Sequence, residues 1–327
     1  MFKAWLVTKA DKQQTAALTQ LDEGQFPEGD VTVRIENSSI NYKDALALTG
    51  KAPIIRRFPM VPGIDLGGIV EQSRNHNYHP GDKVIVNGWE IGEVHWGGLS
   101  ELARLRSEWL IKLPEPLTLF DAMALGTAGY TAMLAVMALE KFGVSPDKGE
   151  ILVTGASGGV GGFAISFLAK LGYDVVASTG RLQESPYLKS LGAKEVIDRA
   201  QFSEPGKALG KERWAGAIEN VGSHTLANVC ATLKRGAAVA SCGNAQGIDF
   251  PGTVAPFILR GVTLIGIDSD LCPMPVRLIA WDRIARTVDK KTISEITQRR
   301  PLSEAMSTAE EVIAGRIRGR VVIDIHG

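Results

Sequence analysis

Apolar and polar positions fall into two textures that meet near residue 120. Before it, short apolar runs are separated by Gly, Pro and Asn. Val31 to Ile35, Gly68 to Glu71, Lys83 to Asn87 and Trp109 to Leu113 have this form. Such spacing predicts a mostly β unit. After it, strand-like runs alternate with segments of helical character. The predicted strands are Ile151–Thr154, Val175–Ser178, Glu195–Ile197, Gly216–Glu219, Ala237–Ser241 and Thr263–Ile267. The alternation predicts an α/β, doubly wound parallel sheet of the Rossmann type. A last strand-like run, Gly319 to Ile325, follows a helical stretch from Ser307 to Ile313 and can return to the first unit. The predicted division is a β-rich domain over 1–122, completed by about 295–327, and a nucleotide-binding domain over 123–294.

The pattern is sharpest at Val153-Thr154-Gly155-Ala156-Ser157-Gly158-Gly159-Val160-Gly161. An apolar strand enters a glycine-rich turn, and a helical stretch, Val160 to Leu171, leaves it. This is the context of a dinucleotide-binding fingerprint. Glycines let the backbone approach a pyrophosphate, and the helix start offers N–H groups to the anion. Ser157, Gly158, Gly159 and Val160 are the predicted pyrophosphate holders. The next strand ends in Ser178-Thr179-Gly180-Arg181. An NAD site carries an acidic residue about 20 positions past the glycines, for the ribose hydroxyls. Here hydroxyls and an arginine stand in its place, and arginine pairs with a 2′-phosphate. The expected cofactor is therefore NADPH.

Length fits about two domains. With 36 basic and 36 acidic residues the formal net charge is zero, which argues against a nucleic-acid partner held by a general basic field. No apolar run reads as long enough to span a bilayer, and the N-terminus lacks a signal-peptide pattern. Cys230, Cys242 and Cys272 are widely spaced and form no CxxC pair, so reduced thiols and a cytoplasmic location are expected.

Further motifs appear in order: Asn41-Tyr42-Lys43-Asp44, Pro62-Gly63-Ile64-Asp65, Gly81-Asp82-Lys83-Val84 and Gly126-Thr127-Ala128-Gly129-Tyr130-Thr131-Ala132. With the central glycine run they resemble the medium-chain dehydrogenase/reductases. The loop Gly88-Trp89-Glu90-Ile91-Gly92-Glu93-Val94-His95-Trp96-Gly97-Gly98, with Pro256-Phe257-Ile258-Leu259-Arg260 and Gly266-Ile267-Asp268-Ser269, is similar to the acrylyl-CoA reductase branch, whose members also carry the label quinone oxidoreductase. The resemblance spans the whole chain. It implies a GroES-like front domain, a homodimer, and cofactor contacts from Tyr42, Thr127, Arg199, Asn244, Ile258 and Ser269. Asn244 departs from the leucine expected there. Zinc-dependent relatives have a histidine where Ile64 stands and use cysteines in the front domain, whereas the first cysteine here is Cys230. No metal is expected, and His76 and His79 read as solvated loop residues. The glycine pattern also fits short-chain dehydrogenases, but neither Tyr173 nor Tyr187 has the required lysine four places on.

Without a metal, the reaction that fits is hydride addition to an activated C=C bond, with acrylyl-CoA the substrate the resemblance implies. An NADPH-dependent quinone reductase and an NADPH-binding sensor with little turnover are the alternatives. Tyr42 is the candidate proton donor, with a cofactor-wall role open beside it. Asn41 either positions the reactants or forms a turn. Lys43 and Asp44 are read as a pair, or Asp44 as a helix N-cap. Arg56 and Arg57 can meet CoA phosphates or lie solvated. His95 and Trp96 are expected to shape a loop, and Cys242 to be a small buried hydrophobe.

Overall fold

Alternation has a physical outlet in the front strands: Val31, Val33 and Ile35 all point into a dry core. The computed structural model describes residues 1–11 and 13–327. In chain order the front elements are β1 (Phe2–Ala10), β2 (Gln13–Leu21), β3 (Val31–Ile40), α1 (Tyr42–Thr49), β4 (Asp65–Ser73), β5 (Lys83–Asn87), β6 (Leu102–Leu105) and β7 (Ile111–Lys112). Helix α2 (Leu119–Lys141) follows. The alternating part contains β8 (Ile151–Val153), α3 (Gly159–Lys170), β9 (Val175–Thr179), α4 (Ser185–Ser190), β10 (Glu195–Asp198), β11 (Trp214–Glu219), α5 (Ser223–Thr232), β12 (Leu233–Ser241), α6 (Ala255–Arg260) and β13 (Thr263–Gly266). The chain ends with α7 (Met274–Thr287), α8 (Lys290–Ile296), β14 (Thr297–Pro301), α9 (Ala305–Ile313) and β15 (Arg320–Asp324).

All six strands of the alternating part are parallel, in the order β10-β9-β8-β11-β12-β13. That order reverses between β8 and β11, the switch point of a Rossmann sheet. Its strands lie at the predicted places. Trp109 to Leu113 is mostly not a strand: Trp109 belongs to a 3-10 turn, and only Ile111 and Lys112 pair with β5. The front sheet runs β14-β15-β3-β4-β5-β7, with β6 also on β3. The late run does return: β15 lies antiparallel to β3 and parallel to β14.

Contacts divide the chain into Met1–Thr127 with Asp270–Ala285 and Ile293–Gly327, and Ala128–Ser269 with Arg286–Thr292. This differs from the predicted boundaries, because Asp270–Ala285 groups with the front strands. Arg277 of α7 is bonded to the end of β5. Its fully buried guanidinium donates to the carbonyl of Asn87 at 2.5 Å and to that of Asp270 at 2.9 Å. Nothing in the hydrophobic pattern marks an arginine as a core residue.

One apolar run is longer than expected. Helix α2 is long and apolar enough to cross a membrane by composition. Its most apolar window is 83% buried within the protein, however, which is the signature of a core helix.

Val321, Val322 and Ile323 of β15 are almost wholly buried between two neighbouring strands. Deleting residues 315–327 should lower the thermal midpoint by about 10 °C or more, through the lost apolar burial alone. Calorimetry of the truncated chain checks this, and an unchanged midpoint would refute the central placing of β15.

Candidate functional site

Asn41 is the N-cap of α1, and it sits in a capping box with Asp44 at the third helical position. The Asp44 Oδ2 accepts from the Asn41 backbone N–H at 2.8 Å, and its Oδ1 from that of Ile64 at 2.8 Å. Asp44 is therefore not the N-cap, because α1 begins earlier, at Tyr42. Nor does it pair with Lys43, whose ammonium turns away to Glu93 at 2.7 Å and Asp270 at 3.2 Å.

Beneath Asn41 lies Asp65, fully buried at the start of β4. Its carboxylate accepts from Ser39 Oγ at 2.6 Å, Asn41 Nδ2 at 2.7 Å, and the Thr127 hydroxyl at 2.7 Å and amide at 2.9 Å. The counter-charge is Arg320 of β15, also buried, at 3.4 Å. Arg320 further donates to Asn41 Oδ1 at 2.6 Å, Ser39 Oγ at 2.7 Å and the Ala124 carbonyl at 3.0 Å. Thr127 reaches Asp65 because α2 breaks at Gly126, with φ 48° and ψ −153°. A side chain at Gly126 would overlap both Asp65 and Arg320.

Asn41, Thr127 and the first turn of α1 are thus brought together by two residues, Asp65 and Arg320, that were not singled out from the sequence. Asp65 was visible within Pro62-Gly63-Ile64-Asp65. The signal for Arg320 is a charge immediately before the apolar Val321-Val322-Ile323. The Tyr42 side chain is 52% exposed.

Burial, and then the nearby Asp65 charge, push the Asp44 carboxyl up to about 6. Burial pushes the Arg320 guanidinium down, against the pull of Asp65 and Asp44. Burial also pulls on the Lys43 ammonium, but Glu93 and Asp270 outweigh it and leave it raised.

His95 is buried, with Nδ1 3.1 Å from the Trp96 carbonyl and Nε2 3.0 Å from that of Glu28. Burial pushes its pKa down, and both nitrogens face backbone, as a loop-shaping residue requires. Arg56 is ion-paired with Glu90 and Glu93. His76 and His79 are exposed, and among the described residues no three His, Cys, Asp or Glu side chains gather as a metal site would need. Burial lifts the Cys230 thiol to about 12 and raises Cys242 as well, so neither is disposed to react.

The nucleotide half is built on β8, α3 and β9. A methyl on Gly161 would stand 2.5 Å from the Gly155 carbonyl oxygen, so only glycine lets α3 pack on the turn. The Gly158 amide is used inside the turn, donating to the Gly155 carbonyl at 3.0 Å. Gly159 and Val160 open the helix, where no earlier helical carbonyl can accept their N–H groups. Ser157 Oγ and Thr179 Oγ1 lie 2.9 Å apart, and Arg181 reaches back to the Ser157 carbonyl at 3.2 Å. Ser178 Oγ is buried without a hydrogen-bond partner. An orphaned hydroxyl, an arginine and no carboxylate in the run Ser178–Arg181 fit a nucleotide carrying a 2′-phosphate. Arg199 follows β10 and lies against Gly180. Asn244 is exposed in a loop, Ile258 is 72% exposed on α6, and Ser269 is half-buried after β13.

The folded state holds the Asp44 proton more tightly than the unfolded chain does, so Asp44 makes stability fall as pH rises from about 4 to about 6 and adds no slope above. The full effect is about 3 kcal/mol. Asp44→Asn should remove this component. Denaturant titrations of both proteins at several pH values check it, and parallel curves would contradict the assignment.

Comparison with known proteins fits this geometry. The alcohol dehydrogenase GroES-like domain matches residues 27–115, and the zinc-binding dehydrogenase domain matches residues 159–276. The acrylyl-CoA reductase AcuI of Ruegeria pomeroyi is 46% identical over the full length of both chains. The crystal structure of Escherichia coli YhdH with bound NADPH is similar at 49% identity and TM-score 0.96, covering 98% of this chain and 99% of that one. Bacillus subtilis YhfP with NAD bound is similar at 42% identity and TM-score 0.94, covering 99% of each. The chain belongs to the medium-chain dehydrogenase/reductase family, in the branch that contains AcuI and YhdH.

Proposed function

We propose that this protein uses NADPH to reduce the activated C=C bond of a short enoyl-CoA thioester, acrylyl-CoA to propionyl-CoA. The observation that carries the reading is 46% identity along the whole chain with an acrylyl-CoA reductase. A nucleotide half suited to a 2′-phosphate supports it.

When bound, NADPH supplies hydride to the β-carbon. Negative charge then grows on the thioester carbonyl, and a fixed N–H or O–H donor stabilises it. Tyr42 stands half exposed on the first turn of α1, and in this proposal its hydroxyl delivers the proton to the α-carbon. Asn41 does not react. Its amide is committed to Asp44, Asp65 and Arg320, so it fixes the turn on which Tyr42 stands. Thr127 is held by Asp65 in the same manner and is assigned to the nicotinamide side.

The proposed enzyme is cytoplasmic, where its three unpaired cysteines stay reduced. It is also proposed to be a homodimer. Strand β13 is the outer strand of the parallel sheet, and Leu264 on it is exposed, as are the apolar Ile258 and Leu259 of α6. Light scattering should give twice the 35.1 kDa chain mass, falling to one chain mass in Leu264→Asp. A wild-type monomer would remove this part of the reading.

NADPH consumption with acrylyl-CoA, beside a simple quinone and an NADH control, tests the activity. Turnover of the thioester with NADPH is expected. Turnover of the quinone alone would overturn the substrate, and tight NADPH binding without turnover of either would make the protein a sensor. Tyr42→Phe should lower kcat by about 100-fold while NADPH affinity stays within about twofold. Unchanged kcat with weaker NADPH binding would reduce Tyr42 to a cofactor wall.

A further inference from the structure

Two residues in the loop after β5 hold a backbone conformation that side chains rarely take. Trp89 has φ 59° and Glu90, directly after it, φ 55°. A left-handed residue other than glycine persists only where its surroundings hold it. Asp270 supplies the hold. Its carbonyl accepts from the Trp89 N–H at 3.0 Å, and its Oδ1 from the Glu90 N–H at 3.0 Å. The approach is close: a methyl on Gly88 would stand 2.6 Å from the same Asp270 carbonyl oxygen.

The other carboxylate oxygen of Asp270 is used elsewhere. Oδ2 lies 3.2 Å from the Lys43 ammonium, which is also 2.7 Å from Glu93 in the same loop. Lys43 is the second residue of α1 and the chain neighbour of Tyr42. The Asn41 capping box fixes where α1 begins, and Lys43 ties its next turn to the loop. One half-buried carboxylate therefore braces the left-handed turn with one oxygen and the turn of Tyr42 with the other. The Asp270 carbonyl is secured separately. Arg277 donates to it at 2.9 Å and lays its guanidinium 4.5 Å from the centre of the Trp89 ring. Loss of the carboxylate would leave these backbone anchors in place.

We infer that Asp270 is a positioning residue for the proposed reduction: its carboxylate locks the left-handed turn at Glu90 to the first turn of α1, on which Tyr42 stands. The inference rests on the reading of Tyr42 as proton donor. Asp270 itself moves no proton. Without its carboxylate, Glu90 relaxes toward ordinary backbone angles and Lys43 keeps only Glu93. The Tyr42 hydroxyl then spends less time where it can reach the α-carbon, and proton delivery slows.

The test measures kcat with acrylyl-CoA, the solvent deuterium isotope effect on it, the KM for NADPH and the thermal midpoint. Asp270→Ala should lower kcat by about tenfold and raise the isotope effect, with the KM for NADPH within about twofold. In a Glu90→Gly background the same change should cost only about twofold, because glycine takes a left-handed φ without support. Asp270→Asn keeps an oxygen for the Glu90 N–H and drops the charge facing Lys43, so its kcat should lie between wild type and Asp270→Ala. It carries the test if the alanine variant does not fold. A lowered midpoint with kcat and isotope effect unchanged would make Asp270 purely structural and overturn the inference. An equal loss of kcat in both backgrounds would overturn the hold on Glu90. A wild type that does not turn over acrylyl-CoA, or Tyr42→Phe at the wild-type rate, would instead overturn the reading on which the inference rests.

Discussion

Asp65 and Arg320 are two opposite charges withdrawn from water in the middle of the front unit. Removing such charges from solvent costs several kcal/mol each, and only close, fully hydrogen-bonded geometry offsets it. Here the geometry is supplied by residues far apart in the chain. Ser39 is next to last in β3, Asn41 opens α1, Asp65 begins β4, Thr127 follows the break in α2, and Arg320 begins β15. Each of these ends is fixed because its polar group has an obligatory partner at the same buried point. Gly126 belongs to the same constraint, since any side chain there would enter the ion pair.

The constraint joins stability to chemistry. The carboxylate that neutralises Arg320 also orients Asn41 and Thr127, and the capping box built on Asn41 presents Tyr42 to solvent. Asp44 adds a second carboxyl close to the first, and burial together with the Asp65 charge raises its proton affinity. A variant that disturbs the network should therefore affect folding and turnover together. Tyr42, the proposed proton donor, lies outside the network, so on that proposal its replacement alters chemistry alone.

Much of this was legible in the sequence, but unevenly. The glycine run, the parallel strands and the absence of an acid after β9 each have a local cause: a turn, a period or a charge within a few residues. The nucleotide half was readable for that reason. The front site was only partly readable. Asn41, Tyr42 and Thr127 came from resemblance, and Asp65 stood in one of its motifs, but the partnership of Asp65 with Arg320 was not readable, because the two are 255 positions apart and meet only through the topology of β15. Arg277, which ties α7 to β5, was hidden in the same way: a buried arginine that donates to backbone carbonyls leaves no trace in a hydrophobic pattern. The expected Lys43–Asp44 pair failed because sequence neighbours at the start of a helix point in different directions.

A double-mutant cycle of unfolding free energies on Asp65 and Arg320 tests the central constraint most directly. With Asp65→Asn, Arg320→Met and both together, each single change should cost about 3–5 kcal/mol by stranding a buried charge. The double variant should cost less than the sum by about 2 kcal/mol or more. Losses that add to within about 0.5 kcal/mol would show that the two residues act separately, and that the front unit is held together by something else.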